Sequence, residues 1–211
     1  MPSLAAKWLA ARLHRFEGRY PQWGIRLVAA DHLVNFTHEN VDVGVRYGAG
    51  KYPGLHVEPL MPEDAFPVCS PKLLRPGCRV IREPDDFRYY TLLHDETSRR
   101  SEGVPNWRTW LAAPKASRVR ADLGPVFGGI HLALEAAIAG HGVVLGLSPL
   151  VADDLASGRL VRPIAFEQRS SYSFWLVTSK SSAAHARVRA FLRWAVAEGK
   201  RTLGASTVVG G

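Results

Sequence analysis

Residues 131–150 constrain the fold more than any other stretch of this chain. The segment HLALEAAIAG is a strongly apolar helix candidate, and Gly140 is placed to end it. GVVLGL follows as an all-apolar strand, and Pro149 after Ser148 is typical of the first turn of another helix, with Ser148 as its cap. Strands that are apolar on both faces occur mainly in parallel sheets covered by helices. The stretch therefore predicts an α/β protein.

The same alternation of helices and strands runs through the rest of the chain. We predict helices at residues 3–19, 31–36, 83–87, 104–113, 148–158 and 182–200. We predict strands at residues 25–30, 40–48, 55–60, 65–70, 89–94, 117–123, 142–147, 159–164 and 172–178. In the second of these strands Val41, Val43 and Val45 alternate with Asp42 and Arg46, which places polar side chains near a strand end.

Composition excludes several classes of protein. The chain of 211 residues has a net charge of +8, but its basic residues are scattered and form no run with interleaved aromatic residues. No apolar run approaches the roughly 20 residues that span a membrane, and the first residues do not form a secretory signal. Cys69 and Cys78 do not make a disulfide framework. We expect a cytoplasmic protein without cofactors.

No set of residues predicts catalysis or metal binding. His131 and Glu135 lie one helical turn apart, but two ligands do not make a zinc site, and no second pair accompanies them. The segment GLSPL lacks the closing glycine of a nucleophile elbow, and no nucleophile, base and orienting group stand out together. The sequence therefore does not support an enzyme.

Five segments together resemble the effector-binding domain of LysR-type transcriptional regulators. They are PSLAAKWLAARLHRFEGRYP, ENVDVGVRYGAGKYPGL, FPVCSPKLL, LEAAIAGHGVVLGLSPLVADDLASGRLVRP and YSFWLV. The resemblance covers residues 2 to about 198 in order, and the branch that it resembles contains the glycine-cleavage activators and β-lactamase regulators.

This resemblance implies a two-lobe, type 2 periplasmic-binding-protein-like fold. Lobe I would comprise residues 1–70 and 175–211, lobe II would comprise residues 71–174, and a small effector would bind in the cleft between them. Relatives carry an apolar strand before PSLAAKWL, so the first strand of lobe I is expected to be missing here.

The resemblance also implies which residues contact the effector. In lobe I they are Ser3, Leu4, Asp31 and His32; in lobe II they are Gly128, Gly129, Ile130 and His131; in the second crossing strand they are Tyr172 and Phe174. Asp42 and Arg46 are expected to fix loops near the cleft by hydrogen bonds and an ion pair. Because helix N-termini attract negative charge, we expect a small anionic metabolite.

Two functions remain open at this point. The first is the effector-sensing module of a transcriptional regulator, which forms a homodimer and reaches DNA only through a helix-turn-helix domain that this chain lacks. Its dimer would use apolar surface on the first helix, including Trp8, and on the helix that carries Leu132. The second is a stand-alone cytoplasmic solute-binding protein of the same fold.

Overall fold

The computed structural model describes residues 2–30, 32–101 and 103–208, without the side chains of residues 100 and 205–208. The chain divides into two compact units. Unit 1 comprises residues 1–63 and 171–211, and unit 2 comprises residues 64–170.

Unit 1 begins with one helical run that changes type along its length. It consists of α1 (Pro2–Leu4), a π-helical segment (Ala5–Leu9), a 3-10 turn (Ala10–Arg12) and α2 (Leu13–Arg19). Apolar side chains along this run are buried, since Leu4, Trp8, Leu9 and Phe16 are all less than 10% exposed. The last helix of the unit, α7 (Ala186–Val208), meets this run where the Trp8 indole donates to the Thr202 hydroxyl at 2.8 Å.

The strands of unit 1 differ from the prediction in their extent. Strand β1 (Gly44–Gly48) begins later than the predicted 40–48 and pairs antiparallel with β6 (Gln168–Ser179). Strand β2 (Leu55–Cys69) is a single 15-residue strand where two were predicted. Both β2 and β6 start in one unit and end in the other. A 3-10 turn (Ser182–Ala184) follows β6.

Two elements predicted in unit 1 do not form. Residues 25–30 are not a strand, and residues 32–36 are not a helix, while residue 31 lies outside the described part of the chain. Apolar side chains in this stretch stay exposed, including Leu27 (39%), Val28 (56%) and Leu33 (74%). A strand needs a partner for its main-chain groups, and none of the named strands pairs with residues 25–30.

Unit 2 is the α/β layer that residues 131–150 predict. Its strands lie in the order β2, β5 (Val143–Leu147), β3 (Leu92–Asp95) and β4 (Val126–Phe127). β5, β3 and β4 run parallel to one another, and β2 pairs antiparallel with β5. The helical elements of the unit are Pro71–Leu74 and Pro84–Tyr89, both 3-10, followed by α3 (Glu96–Arg100), α4 (Trp107–Ala112), α5 (Ile130–Ala139) and α6 (Ser148–Ala156).

Aromatic rings form the core of unit 2, and two glycines are required by the backbone. The rings of Phe87, Trp107 and Trp110 meet with centroids 5.5 to 5.8 Å apart. Gly140 ends α5 in the left-handed conformation, with φ at 93°, as its position predicts. A Cβ atom at Gly146 would lie 2.7 Å from the Val151 side chain, so only glycine lets α6 approach β5 this closely.

Three local predictions in unit 2 are wrong. Residues 117–123 form bends rather than a strand, and residues 159–164 contribute only an isolated bridge between Val161 and Cys69. Ser148 does not cap α6, because the helix already includes it, and its hydroxyl instead accepts the N–H of Asp64 at 3.0 Å. Pro149 does lie in the first turn.

Candidate functional site

The junction between β4 and α5 holds four of the predicted effector contacts. Gly129 is the N-cap of α5 in extended conformation, and no side chain caps the helix there. The carbonyl of Gly129 accepts the N–H groups of Leu132 at 3.0 Å and Ala133 at 3.4 Å. Gly128 has no atom within 4 Å of where a Cβ would lie, whereas Ile130 is buried. This end of a ten-residue helix has the partial positive charge that favours an anionic group.

Asp95 lies beside this junction, and the sequence analysis missed it. The pairing of β3 with β4 sets Asp95 opposite Phe127, next to the glycine pair. Its carboxylate accepts the N–H groups of Ser98 at 3.1 Å and Thr97 at 3.4 Å, which caps α3. Burial raises the pKa of Asp95, while those hydrogen bonds and the charge of His131 act in the opposite direction. The parallel pairing of β3 with β4 places Asp95 here, because both strands end at the same edge of the sheet.

A cavity of about 20 Å³ adjoins the junction, which leaves room for about one water molecule. Its polar lining comes from His94, Asp95, Ser98 and Asn106, and its apolar lining includes Trp107 and Ile130. Unit 2 therefore offers a small, mainly apolar notch that presents a carboxylate beside a helix N-terminus.

The predicted contacts on the first helical run are largely buried within unit 1. Ser3 is 6% exposed, and Leu4 is 1% exposed, so the side chain of Leu4 belongs to the core. Asp31 lies outside the described residues. His32 is exposed, and its Nε2 lies 3.1 Å from a carboxylate oxygen of Glu39 in the same loop.

The predicted contacts on β6 belong to an aromatic cluster. The ring of Tyr47 lies 5.4 Å from that of Tyr172 and 5.1 Å from that of Phe174. Phe174 is completely buried, so Tyr172 is the more accessible of the pair. The Tyr47 hydroxyl donates to the carboxylate of Glu63, which is 3% exposed. The sequence analysis missed Glu63, although period-two alternation with the buried Met61 and Ala65 signals it.

Asp42 and Arg46 do not pair with each other. The carboxylate of Asp42 lies 3.0 Å from the Arg187 guanidinium, and its carbonyl accepts the Thr178 hydroxyl at 2.6 Å. The Arg46 guanidinium donates to the Val34 carbonyl at 3.3 Å. These contacts tie loops and α7 to the strands of unit 1.

Other sites of chemistry are not evident in the part of the chain that is described. Within residues 2–30, 32–101 and 103–208, no group of three His, Cys, Asp or Glu side chains is arranged to hold a metal ion. The helices in the same residues include none with the length and apolar content needed to cross a membrane.

Comparison with known proteins identifies relatives along almost the whole chain. The family model of the LysR substrate binding domain matches residues 1–200. The glycine cleavage system transcriptional activator of Escherichia coli K12 is 35% identical over 198 residues, which is 94% of this chain and 63% of that protein. The HTH-type transcriptional activator AmpR of Citrobacter koseri is 30% identical over 92% of this chain and 64% of its own length. The chain thus spans less than two thirds of these relatives.

Solved structures of the same kind share the fold. The effector domain of the transcriptional regulator AmpR of Pseudomonas aeruginosa is 28% identical with a TM-score of 0.75, covering 98% of this chain and 95% of that one. The AmpR effector binding domain from Citrobacter freundii is 25% identical with a TM-score of 0.76, covering 94% of each chain. The relatives named here are transcriptional regulators rather than enzymes.

Proposed function

The chain belongs to the LysR substrate-binding domain family, and we propose that it senses a small-molecule effector for a transcriptional regulator. The observation that carries this proposal is the family match over residues 1–200, with relatives that are transcriptional activators. The fold is the two-lobe, periplasmic-binding-protein-like α/β fold predicted from the sequence. The relatives favour a regulator domain over a stand-alone solute-binding protein.

We propose that the effector is a small metabolite with an anionic group that binds at the start of α5. Gly128 and Gly129 bring the main chain within reach of a ligand, since neither has a Cβ atom. His131 adds a side-chain donor in the first turn of the helix. Helix N-terminal N–H groups and an imidazole donor together stabilise a carboxylate or a similar anion.

Asp95 gives this proposed ligand a second feature. Its half-buried carboxylate lies beside the glycine pair and repels a ligand that carries only negative charge. A ligand with a hydrogen-bond donor or an ammonium group next to its anionic group fits both the start of α5 and the Asp95 carboxylate. Ser3, His32 and Tyr172 in unit 1 remain predicted effector contacts, whereas the side chains of Leu4 and Phe174 are core residues.

Thermal unfolding tests the proposed ligand class. A panel of amino acids, dicarboxylates and simple carboxylates is added to the folded protein, and a binding ligand raises the melting temperature by mass action. We expect the shift to come from members with both charges and to fall in His131→Ala. The matched control is His38→Ala, an exposed histidine on a loop of unit 1. The absence of a shift across the panel, with circular dichroism of a folded protein, would contradict the proposal.

We propose a cytoplasmic homodimer, because regulators of this family act on DNA, and their effector domains oligomerise. Exposed apolar side chains on unit 2 supply a surface for it: Leu123 (49%), Val126 (47%) and Leu132 (48%). The predicted contribution of Trp8 on the first helix is wrong, because Trp8 is 1% exposed. DNA contact is assigned to a helix-turn-helix domain outside these residues.

Light scattering after gel filtration tests the proposed dimer. Leu132→Glu is expected to shift the protein to monomers, because it places a charge in an apolar contact. Leu33→Glu introduces the same change at a side chain that is 74% exposed, and it should leave the mass unchanged. Equal masses for both variants and the unmodified chain would show that the surface around Leu132 is not the dimer contact.

A further inference from the structure

The stretch from Leu74 to Tyr89 in unit 2 combines exposed apolar side chains with arginines. We call it the arginine–tyrosine patch, and its members are Leu74, Arg75, Arg79, Val80, Arg88 and Tyr89. Three of them are apolar or aromatic and still exposed, with Leu74 at 39%, Val80 at 63% and Tyr89 at 46%. Neither the proposed effector contacts nor the proposed dimer surface includes any of these residues.

Tyr89 organises the two central arginines of the patch. The guanidinium carbon of Arg79 lies 4.2 Å from the centre of the Tyr89 ring, and that of Arg88 lies 4.3 Å from it. Arg88 also donates to the Tyr89 hydroxyl at 2.7 Å and to the Asp85 carbonyl at 2.8 Å. Two like charges are therefore held against one ring, an arrangement that an anionic partner would stabilise.

Two carboxylates, Asp85 and Asp86, interact with the charge of Arg88, and each also accepts main-chain N–H groups. Asp85 accepts the main-chain N–H of Arg118 at 2.9 Å. Asp86 accepts the main-chain N–H groups of Arg82 at 2.9 Å and Glu83 at 3.2 Å, and the first of these bonds lowers the pKa of its carboxyl. Among the described residues, no carboxylate lies within 4 Å of the Arg79 guanidinium.

The main chain beneath the patch is held in place. The Tyr90 hydroxyl donates to the carbonyl of Arg79 and lies 3.4 Å from that of Leu73. The Ser70 hydroxyl accepts the N–H of Lys72 at 3.4 Å, at the start of the 3-10 turn. A partner would therefore meet a largely preformed surface, which lowers the entropy cost of binding.

We propose that the arginine–tyrosine patch docks an acidic, partly apolar segment of a protein partner. Charge complementarity argues for the acidic residues, because the Arg79 guanidinium is held over Tyr89 at the surface and a guanidinium binds a carboxylate in a fork. Arg88 adds a second positive charge, although both of its terminal nitrogens already donate within unit 2. The exposed side chains of Leu74 and Val80 argue for the apolar ones. They also disfavour a nucleic-acid backbone, whose phosphates gain nothing from aliphatic contacts. Arginine and tyrosine are, in addition, the residues that contribute most to protein interfaces.

Fluorescence anisotropy with labelled probes tests this docking. The first probe is a 12-residue peptide that alternates glutamate with leucine, the second replaces its glutamates by lysines, and the third is a 12-nucleotide single-stranded DNA. Each is titrated with the unmodified chain, with Arg79→Glu and with Arg193→Glu. The last variant is the matched control, since Arg193 is an exposed arginine on α7 in unit 1.

The acidic peptide should bind, and Arg79→Glu should weaken it by at least about tenfold, while Arg193→Glu should change its affinity by less than about threefold. Cys78 supplies an independent readout, because this exposed thiol adjoins Arg79 and the bound peptide should slow its alkylation. Three results would overturn the proposal: no binding of the acidic peptide at low salt, equal weakening in both variants, or tighter binding of the DNA than of the peptide.

Discussion

Replacement of Trp8 tests whether the first helical run belongs to the core of unit 1. The Trp8 indole N–H donates to the Thr202 hydroxyl at 2.8 Å, and the Arg12 guanidinium carbon lies 5.2 Å from the ring centre. Trp8→Phe removes the donor and part of the ring. The lost hydrogen bond costs about 0.5–1.5 kcal/mol, and the smaller ring leaves a void worth about 1–2 kcal/mol. We expect the free energy of unfolding to fall by about 1.5–3.5 kcal/mol.

The reciprocal change, combined with Trp8→Phe, isolates the hydrogen bond. Thr202→Val keeps the shape of the side chain but leaves the buried indole N–H without its acceptor, at a cost of about 1–3 kcal/mol. It also removes the bond that the Thr202 hydroxyl donates to the Glu198 carbonyl at 3.0 Å, a loss that is the same in the single and double variants and therefore cancels between them. In the double variant Trp8→Phe/Thr202→Val, no donor or acceptor of this bond is left unpaired. The losses of unfolding free energy in the two single variants should therefore add up to about 1 kcal/mol more than the loss in the double variant. Trp23→Phe is the matched control, since Trp23 is half-exposed and stacks on Tyr20 with ring centres 5.2 Å apart.

Urea denaturation followed by circular dichroism measures these free energies, and thermal unfolding should shift by about 2–4 °C per kcal/mol for a chain of this size. A coupling energy within about 0.3 kcal/mol of zero would refute the contact between Trp8 and Thr202. Trp8→Glu gives a further check, because a charge at this position should unfold unit 1. A folded, monomeric Trp8→Glu protein would instead show that Trp8 lies on a dimer surface.

Three further predictions follow from burial and charge. Main-chain hydrogen exchange should be fast at residues 25–30, which form no strand, and slow at residues 143–147, which pair with β2 along their length and with β3 at residues 143 and 144. Equal protection of the two segments in mass spectrometry of exchanged peptides would contradict this. Burial raises the pKa of Asp95 in the folded protein above its unfolded value, which is about 3.9. The folded protein therefore binds this proton more tightly than the unfolded chain does. The free energy of unfolding should fall as the pH rises from about 4 through the raised pKa. Asp95→Asn should flatten this fall in melting temperatures measured between about pH 4 and 7, and an unchanged slope would argue against it. Maleimide should label the exposed Cys78 rapidly and Cys69 only after unfolding. Cys69 is fully buried, and burial raises the pKa of its thiol to about 11. A mass that shows two labels on the folded chain would contradict this.

The elements predicted correctly are those that local chemistry specifies. Gly140 ends α5 because its left-handed conformation suits glycine, and Pro149 lies in the first turn of α6, where its missing N–H does no harm. The all-apolar run at 142–147 forms β5 because both of its faces are buried in unit 2. The segments that carry the family resemblance needed no tertiary information either.

The candidate site was predictable only in part. The junction at Gly128 and Gly129 follows from the motif that precedes α5, but Asp95 comes beside it only because β3 pairs with β4. The alternation of Met61, Glu63 and Ala65 along β2 indicates that Glu63 is buried, but its partner Tyr47 lies on β1, which does not pair with β2. Which side chains meet across the sheet leaves no local pattern, so the motifs could not reveal the neighbour of Asp95 or the partner of Glu63.

The sequence by itself therefore determined the α/β class, the family and most helix ends, because periodicity, glycine, proline and capping residues act over a few neighbouring positions. The tertiary structure decided which apolar segments are buried. Residues 25–30 have the composition of a strand but stay outside the sheet for want of a paired neighbour, while Trp8 enters the core because α7 packs over it. Burial depends on the partners that a segment finds across the chain, and those partners exist only once the fold has formed.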